Sequence, residues 1–197
     1  MPRIPMELTL RDGATVVIEP IRPDHKDALE RAFAQLSDRS RYSRFLAPME
    51  RLSPTMLAYL TEVDHRDHEA LIAFDPDSGA AVGVARYVRT DGDSAEAAVT
   101  VLDDWQGGGL GTGLTSLLAE RALEEGIERF TAVLLVENKE MIALLESVGH
   151  VAVTGREAGT LSVEVPLESE RPGAGKGLYG LLRAARRVAA AARSAAS

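Results

Sequence analysis

The chain has 197 residues, 45% of them hydrophobic, and no cysteine, which suits one well-buried domain and excludes disulfides, thiolate nucleophiles and cysteine-bound metal. Its amino terminus lacks a basic segment followed by an apolar core, and no apolar run approaches the ~18 residues of a membrane span, so a soluble cytoplasmic protein is expected. The net charge of -8 conceals an asymmetry, because residues 168–197 hold six Lys/Arg against two Asp/Glu and leave about -12 on the rest. An acidic body argues against nucleic acid as a partner of the main domain, where phosphate neutralisation would dominate affinity. It suits a cationic partner such as lysine or a polyamine, although acidity also serves solubility alone.

The first 13 residues read as a flexible terminus, and residues 14–21 form a β-branched run ending near Pro20. Pro23-Asp24 then opens an amphipathic helix to about Leu36. Ser37 starts a short polar helix through Phe45, and Ser53-Pro54, a capping hydroxyl before proline, starts another to about Thr61. Strands are expected over 70–74 and 80–88, joined by Asp75-Pro76-Asp77-Ser78-Gly79, with a hairpin turn at Asp91-Gly92 into a strand over 94–102. A glycine-rich segment follows, then a helix over 110–125, a strand over 130–136 and a helix over 139–147 ended by Gly149. Strands over 151–154 and 160–165 close a domain spanning 14–167. The order makes a mixed sheet with helices on its faces.

The informative stretch is Asp103-Asp104-Trp105-Gln106-Gly107-Gly108-Gly109-Leu110-Gly111-Thr112-Gly113, wedged between an apolar strand and an amphipathic helix. Glycines let backbone N–H groups approach an anion, and a helix start adds its partial positive charge, so a pyrophosphate fits. The Lys-Ser/Thr of a nucleoside triphosphatase loop is missing and the spacing is not GxGxxG. Nor does the segment follow the first strand, where a dinucleotide fold would put it.

Gln106, Gly109 and Gly111 match the Q/R-x-x-G-x-G/A signature, and on these residues the chain resembles the GNAT superfamily of N-acetyltransferases. The surroundings agree over roughly 14–165, and Asn138, Met141, Leu144 and Leu145 before Gly149 look like the strand-to-helix element that flanks the coenzyme there. The resemblance implies an α+β GNAT fold with a central, mostly antiparallel mixed sheet and helices on both faces. It implies acetyl-CoA as co-substrate, without a metal. Strand backbone at Val99, Thr100, Val101 and Leu102 would pair with the pantetheine arm, and residues 106–113 with Asn138 would hold the rest. Many relatives carry Arg or Lys where this chain has Gly108, so affinity would rest more on backbone donors.

Among GNAT branches the chain is most similar to the acetyltransferase domain of bacterial protein lysine acetyltransferases. The resemblance lies in Ser37-Asp38-Arg39-Ser40-Arg41-Tyr42-Ser43-Arg44-Phe45, in Val63-Asp64-His65 leading through His68 to Ala70-Leu71-Ile72-Ala73, and in Ala95-Glu96-Ala97. Fused regulatory domains of such enzymes are not matched. A lysine amine is mostly protonated at pH 7, and removing its proton costs roughly 4.6 kcal/mol, so a base is useful. The resemblance implies that Glu96 stands where lysine acetyltransferases of the superfamily place a catalytic glutamate, and its neighbours Ala95, Ala97, Ala98 and Val99 predict a desolvated carboxylate. A backbone N–H near Thr100 or Val101 would polarise the thioester carbonyl if this strand splays. Where many relatives have a tyrosine to reprotonate the thiolate, this chain has Leu145.

The expected reaction is acetyl transfer to protein lysine. A small-molecule amine acceptor and a catalytically silent acyl-CoA-binding module that recruits a partner stay open. Asp64-His65-Arg66-Asp67-His68 reads as a polar loop rather than a metal site. Arg39, Arg41 and Arg44 read as a solvated helix face, Trp105 as a packing anchor and His150 as a partly buried structural residue. Beyond the Pro/Gly linker at 172–177, Arg183, Arg186, Arg187 and Arg193 stand opposite Leu178, Leu181 and Leu182. Such a helix could meet an anionic membrane, nucleic acid or an acidic partner, or remain a mobile extension.

Overall fold

The computed structural model describes residues 5–167, and the basic tail expected over 168–197 lies outside the described residues. The strands are β1 (Met6–Thr9), β2 (Thr15–Pro20), β3 (His68–Phe74), β4 (Ala81–Asp91), β5 (Ser94–Val101), β6 (Arg129–Leu135), β7 (Ala152–Glu157) and β8 (Thr160–Pro166). The helices are α1 (Lys26–Gln35), α2 (Asp38–Phe45), α3 (Pro54–Thr61), α4 (Leu110–Glu124) and α5 (Lys139–Glu146). The sheet runs β1-β2-β3-β4-β5-β6-β8-β7, and every neighbouring pair is antiparallel except β5 with β6. This is the expected α+β GNAT architecture.

Local chemistry sets the helix starts. Ser37 Oγ accepts from the Ser40 N–H, Ser53 Oγ from Met56 and Asn138 Oδ1 from Met141, so each satisfies an N–H with no carbonyl one turn back. The terminus is not flexible throughout, because Met6–Thr9 pairs with β2 through a hairpin that turns at Gly13, φ 90°. Burial explains this: Leu8 and Leu10 each retain 7% exposure, and apolar cover holds the strand.

Antiparallel partners share a face of the sheet. Val84, Arg86 and Val88 of β4, with their partners Thr100, Ala98 and Glu96 of β5, therefore look one way. Gly83, Ala85 and Tyr87, with Val101, Val99 and Ala97, look the other. Helix α4 covers the second face, burying Leu110, Leu114, Leu117, Leu118 and Ala122 at helical spacing. Helix α1 packs against β4 and against α3, and their side chains share a cavity with Val84, Arg86 and Thr100 of the first face.

One ion pair ties α4 to the sheet. Arg121 donates from Nε and Nη2 to Oε2 of the fully buried Glu69 at 3.0 and 2.9 Å. The other carboxylate oxygen accepts the Ala70 N–H at 2.9 Å and lies 2.7 Å from His65 Nδ1.

Candidate active site

The parallel pairing of β5 with β6 stops after Ser94–Arg129, Ala95–Phe130 and Glu96–Thr131. Beyond Glu96, β5 stays bonded to β4 as far as Val101 and β6 to β8 as far as Leu135, so the two strands diverge. Backbone groups of β5 that a neighbouring strand would claim are left facing a groove of about 590 Å³. Glu96, Val99, Thr100 and Val101 border it on one side, Ala132 and Leu134 on the other.

The glycine loop closes one end. Residues Asp103–Trp105 form a single 3-10 turn, after which Gly107 and Gly109 take φ of 78° and 98°, a left-handed backbone that favours glycine. Gln106 is spent internally: its Nε2 donates to the Val101 carbonyl at 3.0 Å and its N–H to Asp103 at 3.3 Å. The Gly113 N–H likewise bonds the Gly109 carbonyl at 3.0 Å. Between them Leu110, Gly111 and Thr112 begin α4, and their N–H groups have no carbonyl one turn back. Gln106, Gly107, Gly109, Gly111 and Thr112 border the groove, as does Asn138 while it caps α5. Gly108, Leu110, Gly113 and Leu102 stand outside that lining, Leu110 because its side chain is fully buried under α4 and Leu102 because it turns to the inner cavity.

Sequence reasoning missed Arg11. The β1–β2 hairpin folds over the loop so that the Arg11 N–H donates to the Gly108 carbonyl at 2.9 Å. The exposed side chain crosses Gly109, its Nε 3.7 Å from where a Cβ would stand, and borders the groove. A cation thus reaches the loop from a distant part of the chain. Only the folded hairpin reveals it.

Helix α2 forms the opposite wall. Asp103 anchors it: Oδ1 accepts from the Ser37 and Ser40 hydroxyls at 2.9 and 2.8 Å, and Oδ2 from the Ser37 N–H at 3.1 Å. The arginines differ from a solvated face, since Arg41 lies over the Phe33 ring at 5.1 Å and Arg44 over Phe45 at 5.0 Å. Burial pushes Arg44 below the usual arginine range, with Glu96 and then Tyr59 pulling the other way. Arg39 stays exposed on the groove.

Glu96 sits at the apex where pairing ends, and its side chain is exposed rather than desolvated. Strand alternation is the reason. Ala95 and Ala97 are buried on the α4 face, so the apolar neighbours in sequence are not neighbours of the carboxylate in space. His150, expected partly buried, is exposed where the chain enters the solvated edge strand β7. Leu145 is fully buried, and Trp105 is half-buried beside the loop.

The two histidines of the 64–68 segment point to opposite faces. His65 meets Glu69, whereas His68 Nε2 lies 3.2 Å from Arg86 Nη1, with the Tyr59 ring 5.0 Å away. Asp64 Oδ1 shapes the loop by accepting the Arg66, Asp67 and His68 N–H groups. Among the described residues no group of three or more His, Cys, Asp or Glu is placed to hold a metal ion. Burial, then the charge of Arg86, pushes His68 down to about 4. Between that value and its ordinary ~6.5 the unfolded chain binds the proton and the folded chain does not. Stability should therefore fall as pH drops through that window, and His68→Asn should show a shallower acid slope in urea titrations at successive pH values.

Among the described residues no helix is long and apolar enough to cross a membrane. A model of the acetyltransferase (GNAT) family matches residues 30–150. Acetyltransferase Pat of Mycolicibacterium smegmatis is 30% identical over 163 residues, covering 82% of this chain and 48% of that protein, so the chain spans about half the length of that relative. An acetyltransferase of Pseudomonas aeruginosa is 31% identical over 146 residues, covering 73% of this chain and 78% of its own length. The crystal structure of the GNAT domain of S. lividans PAT superposes with a TM-score of 0.76 at 32% identity, covering 82% of this chain and 96% of that domain. A family match across the split sheet and the glycine loop, joined to these relatives, places this chain in the GNAT acetyltransferase family.

Proposed function

We propose that this chain moves the acetyl group of acetyl-CoA to a primary amine, the side chain of a protein lysine, by direct attack with Glu96 as general base. The observation that carries the proposal is the end of β5–β6 pairing at Glu96, which opens unclaimed strand backbone between a carboxylate and the glycine loop. The diphosphate of the coenzyme would lie on the N–H groups of 107–112, and the pantetheine arm along Val99–Val101 would take the hydrogen bonds that β6 does not. A backbone N–H at Thr100 or Val101 would face the thioester carbonyl. The amine nitrogen bonds that carbon, the C–S bond breaks, and the thiolate leaves without a proton from Leu145. The acidic body suits a cationic acceptor of either kind, and the likeness to the two relatives named Pat and PAT favours a protein lysine.

Thiol release from acetyl-CoA with a lysine-bearing protein and with a polyamine is the test. Turnover confined to polyamine would move the assignment to a small-molecule enzyme. Tight coenzyme binding without turnover on any amine would leave a silent module. In this reading Arg11 supplies the cation absent at Gly108, so Arg11→Ala should raise the KM for acetyl-CoA about tenfold, the worth of one hydrogen bond to a charged group. Its kcat should change little, because the phosphates are bound alike in ground and transition states.

A further inference from the structure

A second cavity, of about 50 Å³, adjoins the groove beneath α1 and α3. Phe33, Leu60, Val84 and Leu102 give it apolar walls, while Arg44 and Thr100 border both spaces. Within this lining lies Arg86, a guanidinium on the middle of β4 with 5% exposure. Its Nη2 donates to the Leu60 carbonyl at 3.0 Å and its Nη1 to His68 Nε2 at 3.2 Å. Both acceptors are neutral at pH 7, since His68 titrates far below that.

Neither Arg86 nor Arg44 makes an ion pair among the described residues, in contrast to Arg121, which meets a buried carboxylate. Burial, and then the like charge of Arg44, pushes Arg86 down to about 9. A buried cation beside another cation is strongly disfavoured unless an anion completes the set. Among the described residues the lining of this apolar pocket holds two positive groups and no carboxylate, and the charge of Glu96 reaches only Arg44, from the groove side. A carboxylate carried in by a substrate would complete the set around Arg86.

We infer that this cavity receives a carboxylate-ended acyl chain of the succinyl class, whose far carboxylate meets Arg86 and Arg44. This rests on the function proposed above and deepens it by naming the acyl donor. Position favours the donor over the acceptor as the source of the carboxylate, because Thr100, on the strand segment assigned to the thioester, is where groove and cavity join. The acceptor amine has to reach Glu96 instead, at the other end of that segment. Size agrees. A void of this volume holds roughly three to five water-sized groups, and a succinyl group adds one methylene and one carboxylate to an acetyl unit. Transfer itself balances as before: the N–C bond forms, the C–S bond breaks, the thiolate leaves with the electron pair, the amine proton goes to Glu96, and the far carboxylate is unchanged.

The test offers the full chain equal amounts of succinyl-CoA and butyryl-CoA, a neutral chain of similar length, with one lysine-bearing protein, and reads both adducts by mass spectrometry. A preference for succinyl of about tenfold or more is expected, the worth of a charge-assisted hydrogen bond. Arg86→Met, which keeps volume and removes an unpaired buried charge, should fold at least as well by thermal melting and reverse the ratio towards butyryl. Arg86→Lys should restore part of it. Equal use of the two donors by the wild type, with acetyl still transferred, would overturn this inference and leave the proposed function standing. Equal use of the two donors together with a rate that falls when free lysine is replaced by its methyl amide, and falls no further in Arg86→Met, would assign the carboxylate to the acceptor and overturn it too. Absence of transfer from every acyl-CoA would sink the proposed function first.

Discussion

Glu96→Gln should lower kcat for lysine acetylation by roughly two to four orders of magnitude while leaving the affinity for acetyl-CoA close to that of the wild type. Glutamine keeps the size and polarity of the side chain at the apex of the groove but cannot accept the proton of an ammonium acceptor. The coenzyme contacts assigned to 107–112 lie at the other end of the divergence and are untouched. Raising the pH should narrow the gap, because lysine sheds its own proton as the solution approaches ~10.4 and no longer needs a base. Stopped-flow or thiol-release rates from pH 7 to 10 would show this convergence. An unchanged rate at pH 7 in folded Glu96→Gln would refute the assignment.

Arg121→Met should cost about 3–5 kcal/mol of stability, the largest loss expected from a single change away from the groove. The substitution leaves the Glu69 carboxylate at 0% exposure with only the Ala70 N–H and His65 beside it, and the bidentate partner on α4 gone. Burying half of a charge pair is worse than burying neither half. Glu69→Gln with Arg121→Met should therefore recover more than half of the loss in urea denaturation, since the pair is then neutral on both sides. If the double variant is less stable than the single one, the pair is not what holds α4 to β3.

Local signals were readable from the sequence because each carries its physics within a few residues. Ser37, Ser53 with Pro54, and Asn138 announce helix starts by side chains that bond three residues ahead, and the glycine loop announces itself by the backbone it permits. What could not be read depends on which strand lies beside which. The exposure of Glu96 follows from alternation on β5 together with the groove beyond it, so the alanines adjacent in sequence misled. Arg11 reaches Gly108 only once β1, which lies in the stretch that reads as a loose terminus, has paired with β2. No local signal marks Arg86 within the strand expected over 80–88. Its burial between Leu60 and His68 requires α3 and β3 to be in place.

The sheet is, in mechanical terms, two leaves joined along a seam of three residue pairs, 94–96 with 129–131, reinforced by the Arg129–Asp93 ion pair. A molecule that lies in the split and takes up the open amides becomes a partial ninth strand and stitches the leaves together. Occupancy should then appear as slower hydrogen exchange at 97–101 and 132–134, not only at the loop. With coenzyme at 100 times its Kd, amides that exchange through parting of the leaves should slow roughly 100-fold.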